Sequence, residues 1–102
     1  MKEIKHIIEQ IEDECKGANE YIDDALEHKQ NRKSLADLYY NLSLQELSHL
    51  DSLHNQIVAL INEQKNKGVE IPNSMQDIYN WEHKKIIDKV AKVKVKQNMY
   101  KS

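Results

Sequence analysis

The sequence predicts an all-α fold of three long antiparallel helices, and three observations support this prediction. Apolar residues recur every three or four positions along most of the chain, which is the spacing of amphipathic helices. Only two Gly and one Pro interrupt the 102 residues, and Phe is absent. β-Sandwiches and barrels need more turn and aromatic residues, so one helical domain over residues 1–102 is expected.

The first helix is expected at about residues 2–28. Its apolar stripe has spacings of three and four and consists of Ile4, Ile7, Ile8, Ile11, Cys15, Ala18, Tyr21, Ile22, Ala25 and Leu26. Residues 29–33 contain no apolar side chain. This segment therefore predicts a short loop between two antiparallel helices.

The second helix is expected at about residues 35–67. Its stripe is Leu35, Leu38, Tyr39, Leu42, Leu50, Leu53, Ile57, Leu60 and Ile61. Ser34 followed by Asp37 predicts a capping box at the start of this helix. Gly68 predicts its end, because glycine readily adopts the left-handed conformation that follows many helices.

The third helix is expected at about residues 75–97, after a linker that contains the only proline. Ser74 with Asp77 predicts a second capping box. The stripe of this helix is Met75, Ile78, Tyr79, Ile86, Val90 and Val93. We expect the chain to fray beyond Lys96.

Charge is divided unevenly along the chain. Residues 1–72 hold 8 basic against 14 acidic residues, a net charge of −6, whereas residues 73–102 hold 7 against 3, a net charge of +4. The third helix is therefore expected to lie against the acidic first helix, and a nucleic-acid partner is not expected. A binder of nucleic acid or anionic surfaces that uses the Lys-rich last helix is the least favoured alternative.

Location is indicated only by negative features. Cys15 is the single cysteine, so no internal disulfide can form, and a lone thiol favours a reducing compartment. The charged first residues lack the apolar core of a signal peptide, and no segment approaches the apolar length of a membrane span. A cytoplasmic protein without a membrane partner is expected.

Four polar residues interrupt the apolar stripes. They are Glu14 in the first helix, Glu46 and His49 in the second, and Glu82 in the third. A buried carboxylate is costly without a partner, whereas a divalent cation accepts several carboxylates. Glu46 and His49 are three residues apart and share a helix face, and a turn centred near residue 31 places Glu14 opposite them. Their side chains are predicted to converge in the interior.

Glu46-Leu-Ser-His49, together with Glu14 and with Tyr21 seven residues after it, resembles the ferritin-like superfamily of carboxylate-bridged di-metal bundles. The resemblance implies that Glu14 is a terminal metal ligand, Glu46 a bridging ligand and His49 an imidazole ligand. It also implies that Tyr21 is a hydrogen-bond partner behind the ligands. Glu82 matches the glutamate of the third helix in that family. The implied cofactor is iron or manganese, and the implied activity, if the protein is an enzyme, is ferroxidase-like oxidation of iron(II) by dioxygen.

The chain departs from the family pattern in one respect. The position three after Glu82 is Lys85, so a second Glu-x-x-His is missing. Two arrangements remain open: two chains join their first two helices, as in short encapsulated ferritins, or Glu82 completes a site within one chain.

A homo-oligomer is expected in either case, because three slender helices of a 102-residue chain gain core by association. A non-enzymatic helical interaction module with a degenerate site is the alternative function.

Overall fold

The computed structural model describes residues 2–102, apart from the side chain of Met75. This part of the chain is all-helical and contains α1 at Lys2–His28, α2 at Lys33–Asn66 and α3 at Asn73–Lys101. Consecutive helices run antiparallel, so α3 runs parallel to α1. The three helices form an elongated bundle with extents of 57 × 19 × 18 Å. The predicted fold class is confirmed.

The beginnings of α2 and α3 differ from the sequence prediction. Arg32 and Pro72 precede these helices, and neither makes a side-chain capping hydrogen bond. The capping boxes predicted at Ser34 and Ser74 are therefore wrong, since each helix begins before its serine. The carboxylate of Asp37, expected to close the first box, binds other side chains instead.

The end of α2 agrees with the prediction. Gly68 has a φ of +76°, the left-handed conformation that glycine adopts without steric cost. Its amide donates to the carbonyl of Lys65 at 3.0 Å, and the amide of Val69 donates to that of Gln64 at 3.0 Å. These bonds satisfy carbonyl groups that the end of the helix would otherwise leave unpaired.

The core lies mainly between α1 and α2. Ala18, Ala25 and Ala36 are completely buried, and these small side chains allow the two helices to approach closely. Larger buried side chains are Ile11, Ile22, Leu50, Ile57, Ile86 and Val93. Burying apolar area contributes about 25 cal/mol per Å², so the α1–α2 hairpin, with Ile86 and Val93 of α3 packed against it, supplies much of the stability.

A buried serine links all three helices. Ser43 is completely buried in α2, and its hydroxyl donates to the carbonyl of Ala18 in α1 at 2.7 Å. The amide of Gln97 in α3 donates to the same hydroxyl at 2.9 Å. The buried face of α2 therefore passes through a polar residue that the apolar pattern could not identify.

Two residues assigned to apolar stripes are exposed. Leu38 in α2 is 53% exposed and Ile78 in α3 is 59% exposed, so their predicted burial is wrong. In α2 the buried face runs through Ala36, Ser43 and Leu47, and Leu38 lies to one side of it. Met75, assigned to the third stripe, has a side chain outside the described part of the structure.

The last helix continues further than predicted. It reaches Lys101, so the expected fraying beyond Lys96 is wrong. Tyr100 explains the difference, because it is only 5% exposed and its ring stacks on Tyr40 with the ring centroids 4.8 Å apart. Its hydroxyl also donates to the carboxylate of Asp37 near the start of α2.

The expected placement of α3 against α1 is confirmed. Lys96 Nζ lies 2.8 Å from Asp23 Oδ1 and 2.9 Å from Asn19 Oδ1, both on α1. Contacts of α3 with α2 are sparser than its contacts with α1. Within residues 2–102, no helix has the length and apolar content needed to cross a membrane.

Candidate metal centre

Three of the predicted site residues meet between α1 and α2. One ligand atom each from Glu14, Glu46 and His49 can be chosen so that all three atoms lie within 4.8 Å of one another. His49 Nδ1 is 3.5 Å from Glu14 Oε2. The antiparallel hairpin and its short turn produce this register, and the predicted convergence of the three side chains is confirmed.

The depth of the cluster differs from the prediction. The side chain of Glu14 is 27% exposed and that of His49 is 59% exposed. The ligands therefore lie at the edge of the helix pair, and the predicted interior location is wrong. An adjoining groove of about 380 Å³ is lined by Gln10, Asp13, Glu14, His49, Ser52 and Leu53.

The carboxyl group of Glu46 has a raised pKa because it lies against that of Glu14. Hydrogen bonding to Glu14 raises the pKa of Glu46 from 4.5 to about 7, and burial and the charge of Glu14 act in the same direction. The electrostatic effect of His49 lowers the pKa of Glu46. Glu46 is therefore partly protonated at pH 7, and a bound cation would displace its proton.

One oxygen of Glu14 has no hydrogen-bond partner. Glu14 Oε2 is buried, and among the described residues nothing donates to it. The 3.5 Å contact with His49 Nδ1 is longer than a normal hydrogen bond. An unsatisfied buried oxygen costs about 1–3 kcal/mol. A cation at this position would remove that cost.

Gly17 provides space for the carboxylate of Glu46. A Cβ atom added at Gly17 would lie 3.2 Å from Glu46 Oε2, closer than ordinary van der Waals contact. Glycine inside a helix costs about 1 kcal/mol relative to alanine, so a site constraint accounts for its presence. Sequence reasoning missed this residue, although a lone glycine within a 27-residue helix was a usable signal.

Glu82 does not join the cluster. Its carboxyl group hydrogen bonds with that of Glu12, which raises the pKa of Glu12. Lys85 Nζ is 3.9 Å from Glu82 Oε2. Glu82 therefore does not complete the Glu14–Glu46–His49 site within one chain in this structure.

Tyr21 does not support the ligands as the resemblance implied. Its ring stacks on that of Tyr39 with the centroids 6.1 Å apart and the planes inclined by 25°. No hydrogen bond joins its hydroxyl to Glu14, Glu46 or His49 in this structure. The stacked pair instead packs α1 against α2 two helical turns from the cluster.

The ligand set limits the possible chemistry. Carboxylate oxygen and imidazole nitrogen together suit first-row divalent cations such as Fe²⁺, Mn²⁺ and Zn²⁺. Glu14, Glu46 and His49 leave coordination positions free for water, a substrate or further ligands. The site of one chain is therefore suited to one ion and has too few ligands for a dinuclear centre of the ferritin type.

The fold and the site define the protein as an all-helical three-helix bundle with a Glu–Glu–His cluster at the edge of its first two helices. Comparisons with known protein families, curated protein sequences and solved structures find no match to this chain. The functional conclusion therefore depends on the geometry of the cluster.

Proposed function

We propose that this protein is a ferritin-like metal-binding protein that binds iron(II) or manganese(II) at Glu14, Glu46 and His49. The observation that carries the proposal is the convergence of these three side chains from two helices within 4.8 Å. The unpartnered oxygen of Glu14 and the raised pKa of Glu46 add support, since both reflect negative charge that a cation would neutralise.

The exposed edge of the cluster favours completion by a second chain. His49 is more than half exposed beside an open groove, so a twofold-related copy can approach the same ions. Two copies of the cluster together supply four carboxylates and two imidazoles. This is the ligand set of a ferritin-like dinuclear centre, which in that family oxidises iron(II) with dioxygen.

Metal binding is tested directly with manganese(II) and, without oxygen, with iron(II). Calorimetric titration of the chelator-treated protein should give saturable binding, and Glu46→Ala should abolish it while circular dichroism shows unchanged helicity. Glu20→Ala removes an exposed carboxylate of α1 and is the matched control. Stoichiometric manganese(II) or iron(II) in the Glu46→Ala variant would end the proposal.

Assembly is tested by light scattering with and without manganese(II). A dimer that forms on addition of the metal, with one or two ions for each pair of chains, is expected. A strict monomer at high concentration that still binds one ion would contradict the two-chain centre. It would leave a mononuclear site.

A helical interaction module is the second candidate. It is favoured by large apolar side chains that are exposed in the bundle: Leu38, Leu44, Val58, Val69, Ile78, Trp81, Ile87, Val95 and Met99. Exposed apolar side chains mark contacts with other proteins where they form a contiguous patch. Self-association that persists in chelator and in the Glu46→Ala variant would favour this candidate over the metal protein.

A further inference from the structure

A second group of metal-binding side chains lies where α3 meets α2, away from the Glu14–Glu46–His49 cluster. His54 of α2 and His83 of α3 face each other with their Nε2 atoms 3.2 Å apart. The ring of Tyr79 stacks on that of His83, with centroids 5.7 Å apart and planes inclined by 7°. Both histidines are partly buried, so their rings are held in place by packing.

The separation of the two nitrogen atoms matches that of two ligands on one metal ion. Imidazole nitrogen binds zinc at about 2.0–2.1 Å, so two nitrogens at angles between 90° and the tetrahedral value are about 2.9–3.4 Å apart. The 3.2 Å separation between His54 and His83 lies within this interval. Without a cation, one ring must donate its N–H to the other.

The surroundings add negative charge and a small space. His54, His83 and Glu82 line the same cavity of about 20 Å³, which is the size needed to hold one water molecule. The carboxyl group of Glu82 hydrogen bonds with that of Glu12, but its buried oxygen Oε2 has no hydrogen-bond partner of its own among the described residues. Lys85 Nζ, at 3.9 Å from this oxygen, is too far away to donate a hydrogen bond.

Glu82 acts here as a neighbouring anion and is not a preformed third ligand. Among the residues that the structure describes, only the Glu14–Glu46–His49 group brings three potential ligand atoms within 4.8 Å of one another. The histidine pair therefore supplies two nitrogen ligands, and the cavity has room for one water molecule as a third. Two imidazoles favour late first-row cations over manganese(II), which prefers oxygen ligands.

We propose that His54 and His83 form a second cation site, specific for zinc(II) and similar nitrogen-preferring cations, that joins α2 to α3. The site is independent of the proposed iron or manganese centre. Its structural effect follows from the sparse contacts between α2 and α3, because a shared ion holds the first half of α3 against α2.

The test is a calorimetric titration with zinc(II) in the Glu46→Ala background, which removes the other centre. One zinc ion for each chain is expected. In this background His54→Ala and His83→Ala should each weaken binding by more than about 100-fold, because each removes a ligand, whereas the loss of an outer-shell partner costs about 10–100-fold. His6→Ala, an exposed histidine on α1, should bind zinc like its parent.

His83→Phe provides a second variant in case alanine disturbs packing. Phenylalanine retains a ring that can stack on Tyr79 and removes the nitrogen, so zinc binding should be lost while helicity is retained. Zinc binding that is unchanged in the His54→Ala or His83→Phe variant would overturn the proposal. So would the absence of zinc binding in the Glu46→Ala background, whatever manganese(II) does in the unmodified protein.

Discussion

Replacing Glu46 by glutamine should stabilise the metal-free protein at alkaline pH. Glutamine has the size of protonated glutamate and can donate a hydrogen bond to Glu14, but it cannot ionise. The pKa of Glu46 is raised to about 7 in the folded protein from 4.5. Its contribution to stability is therefore complete below pH 4.5 and is lost as the pH rises through about 7.

The size of the effect follows from the same two pKa values. A change from 4.5 to about 7 corresponds to about 3 kcal/mol, at 1.36 kcal/mol for each pH unit. The cluster is open to water, and solvent screening reduces this figure to about 1 kcal/mol. For a domain of this size, 1 kcal/mol raises Tm by about 4–8 °C.

The measurement is thermal unfolding followed by circular dichroism at pH 5 and pH 8, at one protein concentration and with chelator present. Glu46→Gln should raise Tm at pH 8 and have little effect at pH 5, where Glu46 is already protonated. Glu20→Gln, at an exposed position of α1, controls for the loss of a carboxylate alone. A Tm difference that is equal at the two pH values, or a lower Tm of Glu46→Gln at pH 8, would show that ionisation of Glu46 does not destabilise the fold.

Three further substitutions test other parts of the structure. Gly17→Ala should weaken manganese(II) binding, because the new Cβ atom would lie 3.2 Å from the carboxylate of Glu46 and displace it. Unchanged affinity in a calorimetric titration would show that Gly17 is not needed to make space for Glu46. Ser43→Ala leaves the buried amide of Gln97 without its acceptor, so urea unfolding should show a loss of about 1–3 kcal/mol. Tyr100→Phe removes one hydrogen bond and should cost about 0.5–1.5 kcal/mol in the same assay, and full stability would show that the bond contributes nothing.

The helices and the register of the first two could be predicted from local information. Apolar residues spaced by three and four positions identify a helix whatever it packs against. A short polar loop between two helices makes them pack antiparallel. The same hairpin register predicted that the side chains of Glu14, Glu46 and His49 converge. In an antiparallel hairpin, two residues that lie the same number of positions before and after the turn are opposite each other.

Other features depend on which face of each helix the neighbouring helices cover. Ser43 is in the core because Ala18 and Gln97 bind its hydroxyl, and hydropathy cannot anticipate two partners that are distant in sequence. Leu38 and Ile78 are exposed because an apolar stripe can be wider than the surface available to cover it. Packing around Tyr100 likewise extends the last helix beyond the end of its apolar pattern.

Helical periodicity and a short turn are sufficient to predict the all-helical fold, the hairpin of the first two helices and the three side chains that meet between them. The packing of the helices was needed to show that the cluster is at an edge, that Gly17 makes room for Glu46, and that Glu82 lies beside Glu12 and the histidine pair. The first two features depend on how α1 and α2 are rotated against each other, and the third depends on the lateral position of α3. The short linker of residues 67–72 and the few contacts with α2 leave the position of α3 to packing between residues far apart in the chain.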